Sequence, residues 1–304
     1  MGERRRLRRI GALAVVMAVV IVAAACAGDE GAGSDTYPNA HLLVDAEWLK
    51  DNLDEVRIID VRRGAYEDGH IPGAVLVTNN EIHDPDSDID NKLIDAERFT
   101  EVMQAAGIDQ DTVVVIYDGG NALSASRLFY AMEYYGHEHV KILDGGYAGW
   151  LVAGYDVEFE PSVYERGNFV AAAREDRMTD KDYILANLDN DNIIFIDSRS
   201  EAEYKGEDLR GNAKGGHIPG AHHIDWNIAI EKGEDGVERF KSYEELKRIY
   251  AAADPDKTIV PYCQTNVRGA HAYFALRVLG FEAIRAYENS MVEWNNLEDT
   301  PVEK

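Results

Sequence analysis

The chain has 304 residues, of which 45% are hydrophobic, and its 31 Lys and Arg against 56 Asp and Glu give a net charge of −25. That acidity argues against a nucleic-acid partner, whose phosphates would be repelled, and it requires a locally positive pocket for any anionic ligand. The length is sufficient for two domains of ordinary size once an N-terminal leader is set aside.

The leader comes first. Arg4, Arg5, Arg6, Arg8 and Arg9 form a basic segment, and an uncharged, largely apolar run over residues 10–25 follows. This is the layout of a secretory signal, and the run falls short of the ~20 apolar residues that span a bilayer. It ends in Ala23-Ala24-Ala25-Cys26, which resembles a bacterial lipoprotein signal, with Ala23 where Leu is usual. By that resemblance residues 1–26 are a signal peptide, and lipid is attached at Cys26. The alternative is ordinary cleavage that leaves Cys26 unlipidated. Residues 27–39, rich in Gly, Asp and Ser at their start, read as a flexible tether. The expected location is therefore outside the cytoplasm, anchored by lipid to a bacterial cell membrane, or else secreted or periplasmic. With Cys26 lipidated, Cys263 is the sole thiol of the chain. A lone thiol there is either buried and inert or kept for reactivity.

The remainder repeats itself. Apolar runs near Ile58 and Ile194 both end in Asp-x-Arg, at Asp60–Arg62 and Asp197–Arg199. The hexapeptide Gly-His-Ile-Pro-Gly-Ala follows each, at residues 69–74 and 216–221. Helical patterns over 98–106, 124–135, 243–252 and 269–279 alternate with short apolar strands. A later strand in each copy ends in Tyr plus one residue, at Asp118 and at Cys263, and each copy closes on a tryptophan, Trp150 or Trp294. Repeat offsets of 144 to 147 hold from the hexapeptide onward, and the offset of 137 at Asp-x-Arg reflects an insertion over 206–215. The division is 40–156 for the first copy, 157–170 for a linker containing Pro161, and 171–304 for the second copy. Alternating strands and helices imply an α/β unit with a mainly parallel sheet. Functional groups in such sheets sit at the carboxyl ends of strands, where Asp118 and Cys263 fall.

Between that last strand and the next helix lies Tyr262-Cys263-Gln264-Thr265-Asn266-Val267-Arg268-Gly269. A tight loop here aims backbone N–H groups inward, the following helix adds its positive dipole end, and Arg268 supplies a fixed charge. Together they favour a thiolate or a bound anion. The hexapeptides, the Asp-x-Arg ends, the Cys263 loop and the segment 144–150 together resemble the rhodanese-like sulfurtransferases in their tandem form. The resemblance covers nearly the whole chain after the leader.

That resemblance implies two rhodanese-like domains, an inactive first copy and a catalytic second. It implies a cycle in which an anionic donor, thiosulfate or 3-mercaptopyruvate, gives sulfane sulfur to Cys263 and a thiophilic acceptor removes it. The backbone of Gln264, Thr265, Asn266 and Val267 would cradle the persulfide, and Arg268 and Arg199 would position the donor. Asp118 stands opposite Cys263 and Leu123 opposite Arg268, so the first copy should be silent. Four residues separate Cys263 from Arg268; related cysteine phosphatases use one more.

The sequence departs from the family pattern at neutral Gln264 and Thr265, at Asn266 in place of a loop glycine, and at Glu288-Asn289-Ser290 in place of Asp-Gly-Ser. The mercaptopyruvate loop signature is absent, which favours thiosulfate. His70 and His217 read as turn residues. His222, His223 and His271 have no metal-ligand spacing with Cys263, and neither a metal nor a dissociable cofactor is implied. A non-catalytic sulfur-relay or binding module and a thiol redox sensor are the rival readings. Nothing in the sequence sets the oligomeric state.

Overall fold

The computed structural model describes residues 36–304; the leader, Cys26 and the first part of the tether lie outside the described residues. The first copy contains β1 (Leu43–Val44), α1 (Ala46–Asp51), β2 (Arg57–Asp60), β3 (Ala74–Leu76), α2 (Ala96–Ala105), β4 (Val114–Tyr117), α3 (Leu123–Tyr134), β5 (Val140–Leu143) and α4 (Gly146–Val152). Its five strands pair in parallel in the order β1-β5-β4-β2-β3. The central strand β4 is buried throughout, as expected of a parallel strand covered on both faces.

The second copy repeats the plan with β6 (Met178–Thr179), α5 (Lys181–Ala186), β7 (Ile193–Asp197), α6 (Glu201–Tyr204), β8 (His222–His223), β9 (Ile230–Lys232), β10 (Glu238–Phe240), α7 (Tyr243–Ile249), β11 (Thr258–Tyr262), α8 (Val267–Val278), β12 (Ala286–Tyr287) and α9 (Ser290–Trp294). Parallel pairs β11-β7-β8 and β12-β6 are joined by a parallel bridge from Ile259 to Ile284. The resulting order, β6-β12-β11-β7-β8, is that of the first copy. The antiparallel hairpin β9–β10 is reduced in the first copy to a single antiparallel bridge between His83 and Leu93.

Local chemistry repeats too. Asp45 caps α1 through Trp48 N at 2.8 Å, and Asp180 caps α5 through Tyr183 N at 2.8 Å. Each satisfies an N–H that the first helical turn leaves open. His70 and His217 each pair through backbone with a distant chain segment, at Glu158 and Glu303, and each ring lies flat against a tyrosine, Tyr66 or Tyr204. Trp150 and Trp294 are fully buried.

Helices α3 and α8 are buried on nearly all sides, the pattern of a helix enclosed in a core. They pack on each other across the boundary between the copies, with Phe129 and Phe274 ring centroids 4.7 Å apart and Tyr130 and Tyr273 5.2 Å apart. One hydrophobic cluster therefore runs from the first sheet through both helices to the second. Each fully buried Phe or Leu in it contributes about 1.5–3 kcal/mol. At the rim of this interface Tyr273 and Arg277 of α8 both bond Glu133 of α3.

Candidate active site

Strand β11 ends at Tyr262, Cys263 follows, and α8 begins at Val267. Helix α8 thus starts two residues earlier than its periodicity predicts, which places Arg268 in its first turn. Asn266 caps the helix at φ 56°, the left-handed region that Asn enters more readily than most residues. Gly269 is required by contact: a Cβ there would lie 2.4 Å from Asn266 Oδ1 and 3.1 Å from Tyr262 Cα. The start of α9 receives the other side of the loop. Met291 N donates to Cys263 O at 3.0 Å, Val292 N to Gln264 O at 2.9 Å, and Cys263 N to Ser290 Oγ at 3.3 Å. These bonds fix Cys263 and Gln264 against the start of α9, and the first-turn N–H groups of α8, which have no partner within the helix, follow directly in the chain.

Cys263 is 1% exposed. Over the loop lies a cleft of about 650 Å³, lined by Gln264, Thr265, Val267 and Arg268, by Arg210, Asn212 and Trp226 of the second copy, and by Asp90, Asn91 and Leu123 of the first. The Gln264 side chain is engaged within the protein. Its amide exchanges two hydrogen bonds with that of Asn212, at 3.0 and 3.1 Å.

The arginines sort differently from the sequence expectation. Arg199 does not reach the cleft. Its guanidinium, 1% exposed, grips Asp197 at 2.7 to 3.1 Å and Gly216 O at 2.8 Å. Arg62 does the same to Asp60 and Gly69 O. The Asp-x-Arg motif is thus a clamp between strand end and hexapeptide, which takes up Nε and Nη2 of Arg199 but not Nη1.

Arg268 does line the cleft, from the first turn of α8. It is also held by Glu203, at 2.6 and 2.8 Å. Burial pushes the Glu203 carboxyl up, but the hydrogen bonds and charge of Arg268 outweigh this and hold it at about 2. The pair is therefore ionised at ordinary pH, and much of the Arg268 charge is neutralised within it. Arg210 is the other cation lining the cleft; its side chain is 52% exposed, and its nearest acid is Glu203 at 3.9 Å. Sequence reasoning missed Arg210, Asn212 and Glu203. The signal available was the insertion over 206–215, which lacks a counterpart in the first copy and contains two of the three.

Comparison with known proteins bears on this arrangement. The Rhodanese-like domain model matches twice, at residues 45–153 and 180–297. The chain belongs to the rhodanese family. Among relatives, this rhodanese-like chain is 30% identical to a thiosulfate sulfurtransferase of Corynebacterium glutamicum, over 88% of this chain and 92% of that one. It is 32% identical to the sulfur carrier protein TtuD of Thermus thermophilus, over 88% and 98% of the two chains. Among solved structures, the 3-mercaptopyruvate sulfurtransferase SseA of Escherichia coli is similar with a TM-score of 0.72 at 30% identity, over 81% of this chain and 97% of that one. The anaerobic ergothioneine biosynthesis enzyme of Chlorobium limicola is similar with a TM-score of 0.76 at 26% identity, over 88% and 71%. The chain is a sulfurtransferase.

Within this rhodanese-like pair of domains, the first copy shows what its loop holds. The Asp118 carboxylate accepts N–H bonds from Gly120, Ala122, Ser124 and Ala125 at 2.9 to 3.3 Å. Burial pushes its carboxyl above the usual range against the pull of these four donors. The anion cradle of the first copy is filled by its own side chain. Its loop is also one residue longer. Ala122 caps α3 at φ 59° as Asn266 caps α8, so Ser124, not Leu123, stands opposite Arg268.

Proposed function

We propose that the protein moves sulfane sulfur from thiosulfate, or from 3-mercaptopyruvate, to a thiophilic acceptor through a persulfide on Cys263. The observation that carries this reading is the Cys263 loop at a parallel-strand end, beneath a cleft whose one largely unneutralised lining cation is Arg210. Cys263 thiolate attacks the outer sulfur of thiosulfate. The sulfur–sulfur bond breaks, sulfite leaves with the electron pair, and the persulfide anion rests among the loop N–H groups. Arg210 holds the sulfonate end as it departs, and Arg268 faces the sulfur. An acceptor such as cyanide then attacks the outer sulfur, forming thiocyanate and restoring the thiolate. Burial of Cys263 keeps water from the persulfide between the two steps.

Thiosulfate is the favoured donor, since the loop lacks the mercaptopyruvate signature. The test is thiocyanate formation from cyanide by protein lacking residues 1–26, with the two donors supplied separately and Cys263→Ser alongside. Turnover with thiosulfate that disappears in the variant is expected. Folded protein inactive with both donors would replace this reading with a binding or relay module.

A further inference from the structure

Two of the departures from the family pattern, Asn266 in the loop and Glu288 before α9, are bonded to each other. Asn266 Nδ2 donates to Glu288 Oε2 at 2.9 Å. Glu288 is 5% exposed, and its remaining bonds come from the first copy. Arg127 of α3 donates Nη2 to Oε1 at 2.6 Å and Nη1 to Oε2 at 2.9 Å, and Leu93 N donates to Oε1 at 2.9 Å. Arg127 is itself fully buried and is held in addition by Asn91 O at 2.5 Å. A guanidinium–carboxylate pair at this depth carries a large desolvation penalty, and its retention calls for a role beyond packing.

The position of the pair supplies that role. Asn266 carries the left-handed turn between the nucleophile and α8, a conformation that strains an L-residue by roughly 1–2 kcal/mol. Its Oδ1 is buried without a partner, so the bond to Glu288 is what anchors its side chain. The equivalent Ala122 has no such anchor, but its loop closes around the Asp118 carboxylate, which organises four N–H groups from within. Cys263 offers a single sulfur and cannot do the same. The second loop needs a support from outside, and the chain Arg127–Glu288–Asn266 reaches it from the first copy.

We propose that Arg127 is a positioning residue for the Cys263 loop. Through Glu288 it holds Asn266 in the turn that directs the loop N–H groups at the sulfur, so the copy without a nucleophile shapes the site of the copy that has one. The proposal rests on Cys263 being the sulfur-carrying group.

Its test compares Arg127→Gln/Glu288→Gln, which removes both charges at nearly constant shape, in the native background and in Asn266→Gly. Glycine adopts the left-handed turn without a side-chain anchor. In the native background the double change should lower kcat about tenfold with KM moved less than about twofold. With Asn266→Gly present, the same double change should lower kcat by less than about threefold, a coupling that a purely structural contact would not produce. Arg127→Lys, which keeps the charge but loses the two-pronged bond, should lie between. It also reads the link if the double variant does not fold. Alkylation of Cys263 by iodoacetamide, which needs no sulfur donor, should rank the variants in the same order. Equal losses in both backgrounds, or an effect confined to KM, would overturn the proposal. A wild-type protein without turnover would instead overturn the sulfurtransferase mechanism, and alkylation would still decide the role of Arg127.

Discussion

Arg210 is the more exposed of the two cations that line the cleft, 3.9 Å from Glu203, and the other arginines are more tightly engaged. Arg199 is locked to Asp197 two residues earlier, and Arg268 to Glu203. Arg210→Gln should therefore raise KM for thiosulfate about tenfold and leave kcat nearly unchanged, since a charge-assisted hydrogen bond to the donor's sulfonate is lost. Arg199→Gln should act elsewhere. It strands the buried Asp197 carboxylate and should cost about 3–5 kcal/mol of stability, read as a fall in melting temperature, with KM of the folded fraction unchanged. The placement of Cys263 and Arg268 in one strand–loop–helix unit was legible because its parts are contiguous in sequence. The functions of Arg199 and Arg210 were not legible, because each depends on which acid its guanidinium meets. Asp197 lies two residues before Arg199 in the chain, but nothing in the sequence shows that it takes up the charge.

Each copy carries the same strand–loop–helix element, and the two differ in what fills the loop. In the first, the carboxylate of Asp118 takes the N–H groups; in the second, Cys263 stands at the position of that aspartate. Identity at this one position is not the whole difference, because the first loop has an extra residue and Ser124 in the place of Arg268. Asp118→Cys combined with Cys263→Ser should accordingly gain no sulfur from thiosulfate. Intact-mass measurement should show one added sulfur on the wild-type chain and none on the double variant. A persulfide at residue 118 would mean that loop geometry and the arginine contribute little. The strands and main helices were legible from periodicity, to within one to three residues at most ends. The loop offset was misread because a sequence alignment from the strand side and one from the helix side differ by one residue, and only the left-handed cap at Ala122 and Asn266 shows which residues correspond.

Across the whole molecule the two copies share one core. Buried helices α3 and α8 meet along their length, and buried ion pairs Arg127–Glu288 and Arg277–Glu133 cross the same boundary. Thermal unfolding of residues 36–304 should be a single transition, with calorimetric and van't Hoff enthalpies in agreement. Two resolved transitions would show that the copies are independent. The sequence by itself determined the duplication, the α/β class, the parallel-strand end that carries Cys263 and the presence of Asp118 in its place in the first copy. All of these are written in local order, as motif, period and residue type. Only the tertiary structure decided which acid each arginine meets, which residues correspond across the loops, and that Asn266 bonds Glu288, which in turn bonds Arg127. The last two of these pairings join residues 22 and 161 positions apart, and a charge or amide has its effect fixed by the partner that burial gives it.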